Sequence, residues 1–357
     1  MRRLHAVLLA FVLSAGCGRS EPARPGGSSA APVVQQARHG ANPPAAASPA
    51  ASSVASSPGL SATQAAPIAA SAPLGPRLDF PAAELVVALG DLHGDLAATR
   101  RALRLAGAID AHDHWVGGAL VVVQTGDILD RGDDERAILD LTDRLRVEAR
   151  AAGGAFIGLS GNHEVMNVAQ DFRYVTPAGF GAFAPEGGRD VAFRPGGSFA
   201  TRLAERPIVA KVGDTVFVHA GVLPKHVSYG LARMSDEVRA WMLGQRSEPP
   251  AIVVAEDGLI WTRVYSMTGR PADCEQLAQT LAMLGAKRMV VGHTPQSEGI
   301  NAACDGRVWR IDVGLAHHYG GPTQVLEIRG DAVKVRAEQP VGAREPASAP
   351  PDARAKH

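Results

Sequence analysis

The sequence predicts a mixed α/β domain, and three observations carry that expectation. Short runs dense in apolar or β-branched residues ("ELVVALG", "ALVVVQTG", "AFIGLSG", "TVFVHAG" and "RMVVGH") each end at a glycine or polar turn, as buried strands do. Between the first three lie stretches 95–106 and 134–152, where charged and apolar residues mix at helical spacing. Each strand-like run also leads at once into side chains with chemical rather than packing character. Crevices beyond strand carboxyl ends are where open α/β sheets bind ligands.

Taken in order, the first run ends in "GDLHG". Asp91 and His93 alternate along extended backbone, so both side chains share one side. Gly90 and Gly94 bracket them and permit backbone shapes that other residues resist. By itself the pentapeptide fits a metal grip or a turn carboxylate beside a helix start. In the helix that follows, Leu103, Leu105 and Ala106 suit a packed face. The second run, in "VVVQTGDILDRGDDE", delivers Asp127, Asp130 and Arg131, and Ile138, Leu139, Leu141 and Leu145 line the next helix. The third, in "FIGLSGNHE", delivers Asn162, His163 and Glu164. Residues Val165 to Glu205, rich in Gly, Phe and Pro, are too long for a simple connection and read as a lid or specificity wall. "VFVHAG" adds His219 and "VVGHTP" adds His293. After Asp214 the chain is expected to turn to hairpins, the last being "QVLEIRGDAVKVR" with a Gly-Asp turn. One such polar group would read as a satisfied core histidine or a turn aspartate. Five strand ends in succession, each flanked by glycine, point to a metal or acid–base site.

The chain has 357 residues with 36 basic and 36 acidic side chains, so no basic footprint argues for nucleic acid. Residues 1–17, "MRRLHAVLLAFVLSAGC", place two arginines before an apolar run too short to span a bilayer. This is the layout of a signal peptide. Its ending resembles a bacterial lipobox, with Cys17 as the lipidated residue, although Ser14 stands where leucine is usual. A cleaved signal with an incidental cysteine is the other reading. Of the 59 residues 18–76, 43 are Ala, Pro, Ser or Gly and none is aromatic, too little apolar surface to offset ordering entropy. They read as a tether spanning about 45 Å as a coil. Residues 340–357 read as a disordered tail, which leaves 77–339 as the folded body. Such a chain would be exported to the cell envelope. It would face the periplasm as a lipid-anchored membrane protein, or be soluble there without the lipid. Cys274 and Cys304, the cysteines of that body, would then meet an oxidising compartment and pair; two buried thiols are the alternative.

"GDLHG", "GDILDRG", "GNHE", "HAG" and "GHTP", in this order over about residues 85–321, resemble the metal-dependent phosphoprotein phosphatases within the calcineurin-like metallophosphoesterases. "GNHEVMN", "DGLIWTR" and "RIDVGLAHHYGG" are closer to the bacterial Shewanella-like branch. The fold so implied is a single α/β catalytic domain, a β-sandwich flanked by helices. Carried over, the resemblance makes Asp91 and His93 ligands of one metal and Asp127 the bridge, with Asn162, His219 and His293 completing the second. His163 becomes the leaving-group acid, Asp130 its orienting partner, and Arg131 and Arg263 the phosphate clamp. Arg263 is the member whose flanking residues differ from the eukaryotic pattern. Asn162 is also a candidate substrate contact. Tyr319 reads as either a phosphate contact or a structural tyrosine, His317 and His318 as surface groups, and Glu164 as support for the ligands.

Carboxylate, imidazole and amide ligands suit Mn²⁺, Fe²⁺ or Zn²⁺, with Mn²⁺ the expected ion in vitro. Two such ions activate a bridging water for in-line attack on phosphorus. The implied substrate is a phosphoprotein or phosphopeptide, preferentially phosphotyrosine, for which Phe172, Tyr174, Phe180 and Phe183 would furnish an apolar wall. No obligate protein partner is evident. Two alternatives remain: a nucleotide or small-molecule phosphoesterase of the diadenosine tetraphosphatase type, and a metal-bearing binding module that has lost catalysis. The Asp130–Arg131 pair disfavours the first, and the intact His163, Asp130 and Arg131 disfavour the second.

Overall fold

Continuous burial is what the apolar runs impose. In β2 (Val86–Leu89), β6 (Thr215–Val218) and β7 (Arg288–Val291) every residue is buried, as expected of strands covered on both faces. The computed structural model describes residues 76–267 and 270–338. The expectations for residues 1–17, for nearly all of 18–76 and for 340–357 lie outside them. Among the described residues no helix is long and apolar enough to cross a membrane.

Two sheets form, flanked by helices. In the five-stranded sheet β2, β3 (Val121–Gln124) and β4 (Ala155–Gly158) run parallel, and the hairpin of β10 (Gln324–Arg329) and β11 (Ala332–Ala337) adds to the outer side of β2. That hairpin turns at Gly330 and Asp331, as its sequence predicts. The six-stranded sheet has the order β1 (Asp79–Phe80), β5 (Val209–Val212), β6, β7, β9 (Val308–Arg310), β8 (Asn301–Ala303), with β6 and β7 parallel. Parallel neighbours need crossovers. Helices α1 (Leu96–Leu105) and α2 (Glu135–Ala151) supply two, within a residue of the expected spans. The side chain of Asp95 caps α1 by accepting from the Ala98 amide at 2.8 Å, worth about 1 kcal/mol. Leu103, Ala106, Ile138, Leu139, Leu141 and Leu145 are buried as predicted, each contributing about 1.5–3 kcal/mol, less for the alanine, while Leu105 is only partly so.

Two expectations are corrected. The chain after Asp214 is not a run of hairpins: between β6 and β7 it is largely helical, including Leu231–Met242 and Pro271–Leu284. The parallel β6–β7 pairing requires that crossover, and alternation alone does not reveal which strands pair in parallel. In the 165–205 segment the correction concerns Phe183 alone. The segment folds into short helices after α3 (Asn162–Val168), namely α4 (Pro177–Gly181), α5 (Arg189–Phe193) and α6 (Ser198–Leu203), around the clustered, largely edge-to-face rings of Phe183, Phe193 and Phe199. Phe183 is fully buried there and cannot line a substrate wall.

Cys274, on the helix Pro271–Leu284, is bonded to Cys304, which follows β8. The bridge closes a loop that contains β7 and His293. In the chain-entropy model a loop of this length contributes roughly 3–4 kcal/mol.

Candidate active site

The C-terminal ends of β2, β3 and β4 in one sheet and of β6 and β7 in the other converge. Asp91 and His93 follow β2, Asp127 follows β3, Asn162 opens α3 after β4, and His219 and His293 follow β6 and β7. Two glycines allow the approach. A Cβ on Gly161 would lie 2.2 Å from Asp127 Oδ1, and one on Gly292 would lie 2.5 Å from Asp91 Oδ1. The backbone at the site is unusual: His93, Asp127, Asp130, Arg131 and His293 all have positive φ. Such conformations cost about 1–3 kcal/mol each and persist where the surroundings overdetermine them. Glu164 is one such determinant. Its fully buried carboxylate accepts from the amides of Asp127 and Ile128 at 2.8 Å, Leu129 at 3.2 Å and Gly161 at 2.7 Å, pinning the β3 loop to the start of α3.

The imidazoles are aimed by backbone carbonyls. His93 Nδ1 donates to Leu129 O and His219 Nδ1 to Thr125 O, both at 2.9 Å, and His293 Nε2 donates to Trp261 O at 3.2 Å. Each ring therefore turns its other nitrogen, a lone pair, inward. His219 Nε2 lies 3.1 Å from His293 Nδ1, 2.8 Å from Asn162 Oδ1 and 3.2 Å from Asp127 Oδ2. Four lone-pair donors thus face one another with no proton to share, an arrangement that a cation satisfies. On the other side of Asp127 Oδ2, His93 Nε2 stands at 3.9 Å and His163 Nε2 at 3.8 Å. Asp91 Oδ2 lies 4.0 Å from His93 Nε2, its Oδ1 lies 4.0 Å from His219 Nδ1, and the carboxylate accepts from the His293 amide at 3.2 Å. Two groups able to hold a metal result, His93–Asp127–His163 and Asp127–His219–His293, with Asp127 common to both.

The electrostatics separate the histidines. Burial pushes His93 down to about 3 and His293 down to about 2, which keeps both neutral, the ligating form. Burial also opposes charge on His163, but Asp127 and the Asp130 hydrogen bond outweigh it and raise its pKa, favouring a proton on that ring. Burial likewise pushes Asp127 up, yet the imidazoles of His219, His163 and His93 hold it well below the ordinary carboxylate range. Asp91 is raised by burial and by its neighbour Asp312, itself pushed up to about 6 by burial.

The remaining sequence candidates flank this centre. His163 Nδ1 donates to Asp130 Oδ2 at 2.5 Å. The Arg131 guanidinium lies between the rings of Tyr174, at 5.0 Å, and Tyr319, at 5.1 Å. Tyr174 also approaches the His163 ring at 5.2 Å, and Tyr319 the His93 ring at 5.6 Å. Arg263 is exposed and is held on the His293 side, donating to Thr294 Oγ1 at 2.7 Å and to His293 O at 3.3 Å. His317 and His318 are exposed, and the His317 amide donates to Asp95 Oδ2 at 2.8 Å, tying the Tyr319 loop to α1. Sequence reasoning missed Asp312, although "RIDVG" contains it, and also Glu135, Asn167 and Arg189. Arg189 lies in a segment with no motif, so nothing local marked it.

Fold and centre together define a metal-dependent phosphoesterase, and comparisons with known proteins agree. Residues 85–297 match the calcineurin-like phosphoesterase family. The chain is similar to Shewanella-like protein phosphatase 2 of Arabidopsis thaliana, 38% identical over 73% of this chain and 80% of that one. It is also similar to Shewanella-like protein phosphatase 1 of Plasmodium berghei, 29% identical over 66% of this chain and 69% of that one. Among solved structures, the cold-active protein-tyrosine phosphatase of a psychrophilic Shewanella species superposes with a TM-score of 0.63 and 25% identity, covering 72% of this chain and 79% of that one. The chain belongs to the calcineurin-like phosphoesterases and is a metal-dependent phosphatase.

Proposed function

We propose that the chain hydrolyses phosphomonoesters on proteins or peptides and prefers phosphotyrosine. The observation that carries this reading is the Tyr174–Arg131–Tyr319 stack beside His163, a phosphate clamp walled by aromatic rings. Planar guanidinium suits two phosphate oxygens, and offset or edge contacts with the flanking rings suit a phenyl ring. In this reading Phe172 and the exposed Phe180, whose rings are 5.5 Å apart, would extend that wall. The relatives' names as protein phosphatases, and the solved structure's as a protein-tyrosine phosphatase, support the same class.

In this reading Asp91, His93 and Asp127 would hold one divalent ion, and Asp127, Asn162, His219 and His293 would hold another. When bound, the ion pair supplies an activated water and offsets charge on the phosphoryl oxygens. Arg131 and Arg263 orient the phosphate from either side, with Asn162 and Tyr319 at its rim. His163, held by Asp130, gives its proton to the leaving oxygen. Matched phosphopeptides and diadenosine tetraphosphate, assayed with Mn²⁺ under identical conditions, test the substrate class. Phosphotyrosine peptide is expected to lead in kcat/KM. A lead for phosphoserine would overturn the preference, and a lead for the dinucleotide would overturn the protein-phosphatase reading.

We also propose that the chain is exported and anchored by a lipid on Cys17, with 18–76 as the tether. The Cys274–Cys304 bridge supports an oxidising compartment. Cys17→Ser is expected to move the protein from the membrane fraction to the soluble one, with the body carrying no free thiol in either. Unchanged fractionation would remove the anchor, and two free body thiols in unreduced, denatured protein would remove the export argument.

A further inference from the structure

A fully buried arginine sits behind the proton donor, in a segment where no motif leads one to look. Arg189 forks onto Glu135: Nη1 donates to Oε2, and Nη2 to Oε1 at 3.1 Å. Nη1 also donates to Gly179 O at 3.0 Å, and Nε to Asn167 Oδ1 at 2.8 Å. The rings of Phe183 and Phe193, at 5.0 and 4.9 Å from the guanidinium, close the cage. Its side-chain partners, Glu135 and Asn167, both lead to Asp130. The Asp130 amide donates to Glu135 Oε1, and the Asp130 carboxylate accepts from Asn167 Nδ2 at 2.9 Å, with Arg189 Nη2 at 3.5 Å. Because Asn167 Oδ1 is occupied by the guanidinium, that amide has a single orientation in which its NH₂ faces Asp130. Oδ1 of Asp130 is thereby engaged, and Oδ2 is left for His163 Nδ1. The same asparagine donates to His163 O at 2.9 Å, tying the dyad's two residues together.

We propose that Arg189 is a positioning residue that holds the Asp130–His163 dyad in register through Asn167 and Glu135. The 165–205 segment is then part of the apparatus for leaving-group protonation, not only a wall. The inference rests on the reading of His163 as leaving-group acid. Fixing a proton donor matters in proportion to how badly the leaving group needs the proton.

The test uses the full chain with Mn²⁺ and two substrates, an alkyl phosphate and 2,4-dinitrophenyl phosphate, whose leaving group departs without a proton. Arg189→Lys alters the fork but keeps the charge. Glu135→Gln with Arg189→Met removes the buried pair together while leaving an oxygen for the Asp130 amide. Asn167→Ala breaks the link and leaves the arginine–glutamate pair intact. Each is expected to lower kcat on the alkyl phosphate about 10–100-fold, part of the ~10²–10⁴ that a positioned acid contributes. On the activated ester kcat should change less than about threefold. In an Asp130→Asn background the same substitutions should add little, the signature of a shared pathway. Equal losses on both substrates, or full additivity with Asp130→Asn, would reduce Arg189 to a packing role. If His163→Asn itself fails to discriminate between the two substrates, the acid reading fails. If His163→Asn discriminates and the Arg189 and Asn167 variants do not, only the positioning inference fails.

Discussion

Asp127→Asn is expected to reduce bound metal below two ions per chain and to lower turnover by on the order of 10³-fold, equivalent to about 4 kcal/mol of lost transition-state stabilisation. Asp127 is the one carboxylate common to both metal-capable groups. Its Oδ2 lies 3.2 Å from His219 Nε2, 3.8 Å from His163 Nε2 and 3.9 Å from His93 Nε2, so one negative charge serves three imidazoles. Asparagine keeps the shape, and its oxygen can still accept the His163 amide bond that Asp127 Oδ1 accepts at 3.0 Å. What it loses is the charge. In a buried site that charge offsets the divalent cations, and with the amide oxygen held at the His163 N–H an NH₂ group, which cannot ligate, takes the place of Oδ2. Metal analysis beside steady-state rates checks this. Two ions per chain with near-normal rates would show that Asp127 is not the bridge.

His163→Asn is expected to cost about 10²–10⁴-fold on phosphoserine peptide and distinctly less on phosphotyrosine peptide. The two leaving oxygens differ in need. A tyrosine phenolate has a pKa of about 10, whereas an aliphatic alkoxide lies nearer the roughly 15.7 of bulk water. Protonation at departure therefore lowers the barrier far more for serine. His163 is placed for that transfer. Its Nδ1 is committed to Asp130 at 2.5 Å, its Nε2 faces Asp127 at 3.8 Å, and its surroundings raise rather than lower its proton affinity. His93, equally close to Asp127, is instead pushed down by burial to about 3 and is suited to ligation. The ratio of kcat/KM for the two peptides, wild type against variant, reads out the difference. Equal losses on both would move His163 from proton donor to metal ligand, a place its distance to Asp127 also permits.

The six candidate metal ligands were legible in the sequence because each sits just past a strand. An apolar run that ends in Gly-Asp or Gly-Asn-His leaves few alternatives for where those side chains lie. Helices 95–106 and 134–152 were legible for a similar reason, since their apolar residues recur at the helical period, and so was the last hairpin from its Gly-Asp turn. Pairing was not. That β6 and β7 run parallel, and so enclose a long helical crossover, depends on contacts between segments some seventy residues apart. Burial within the 165–205 segment was equally hidden: Phe183 and Phe180 look alike in sequence, yet one is fully buried and the other is 44% exposed. Glu164 was marked as a support by its place in "GNHE", but what it and the other supports hold is decided by tertiary structure. Glu164 gathers amides from two loops, Tyr174 and Tyr319 close on Arg131 from segments far apart in the chain, and Arg189 reaches Glu135 and Asn167 from a segment without periodicity. A sequence marks a residue when its neighbours in the chain constrain it. These residues are constrained by partners brought near only when both sheets and the insertion pack, because a buried charge must find its counter-charge wherever the fold supplies one.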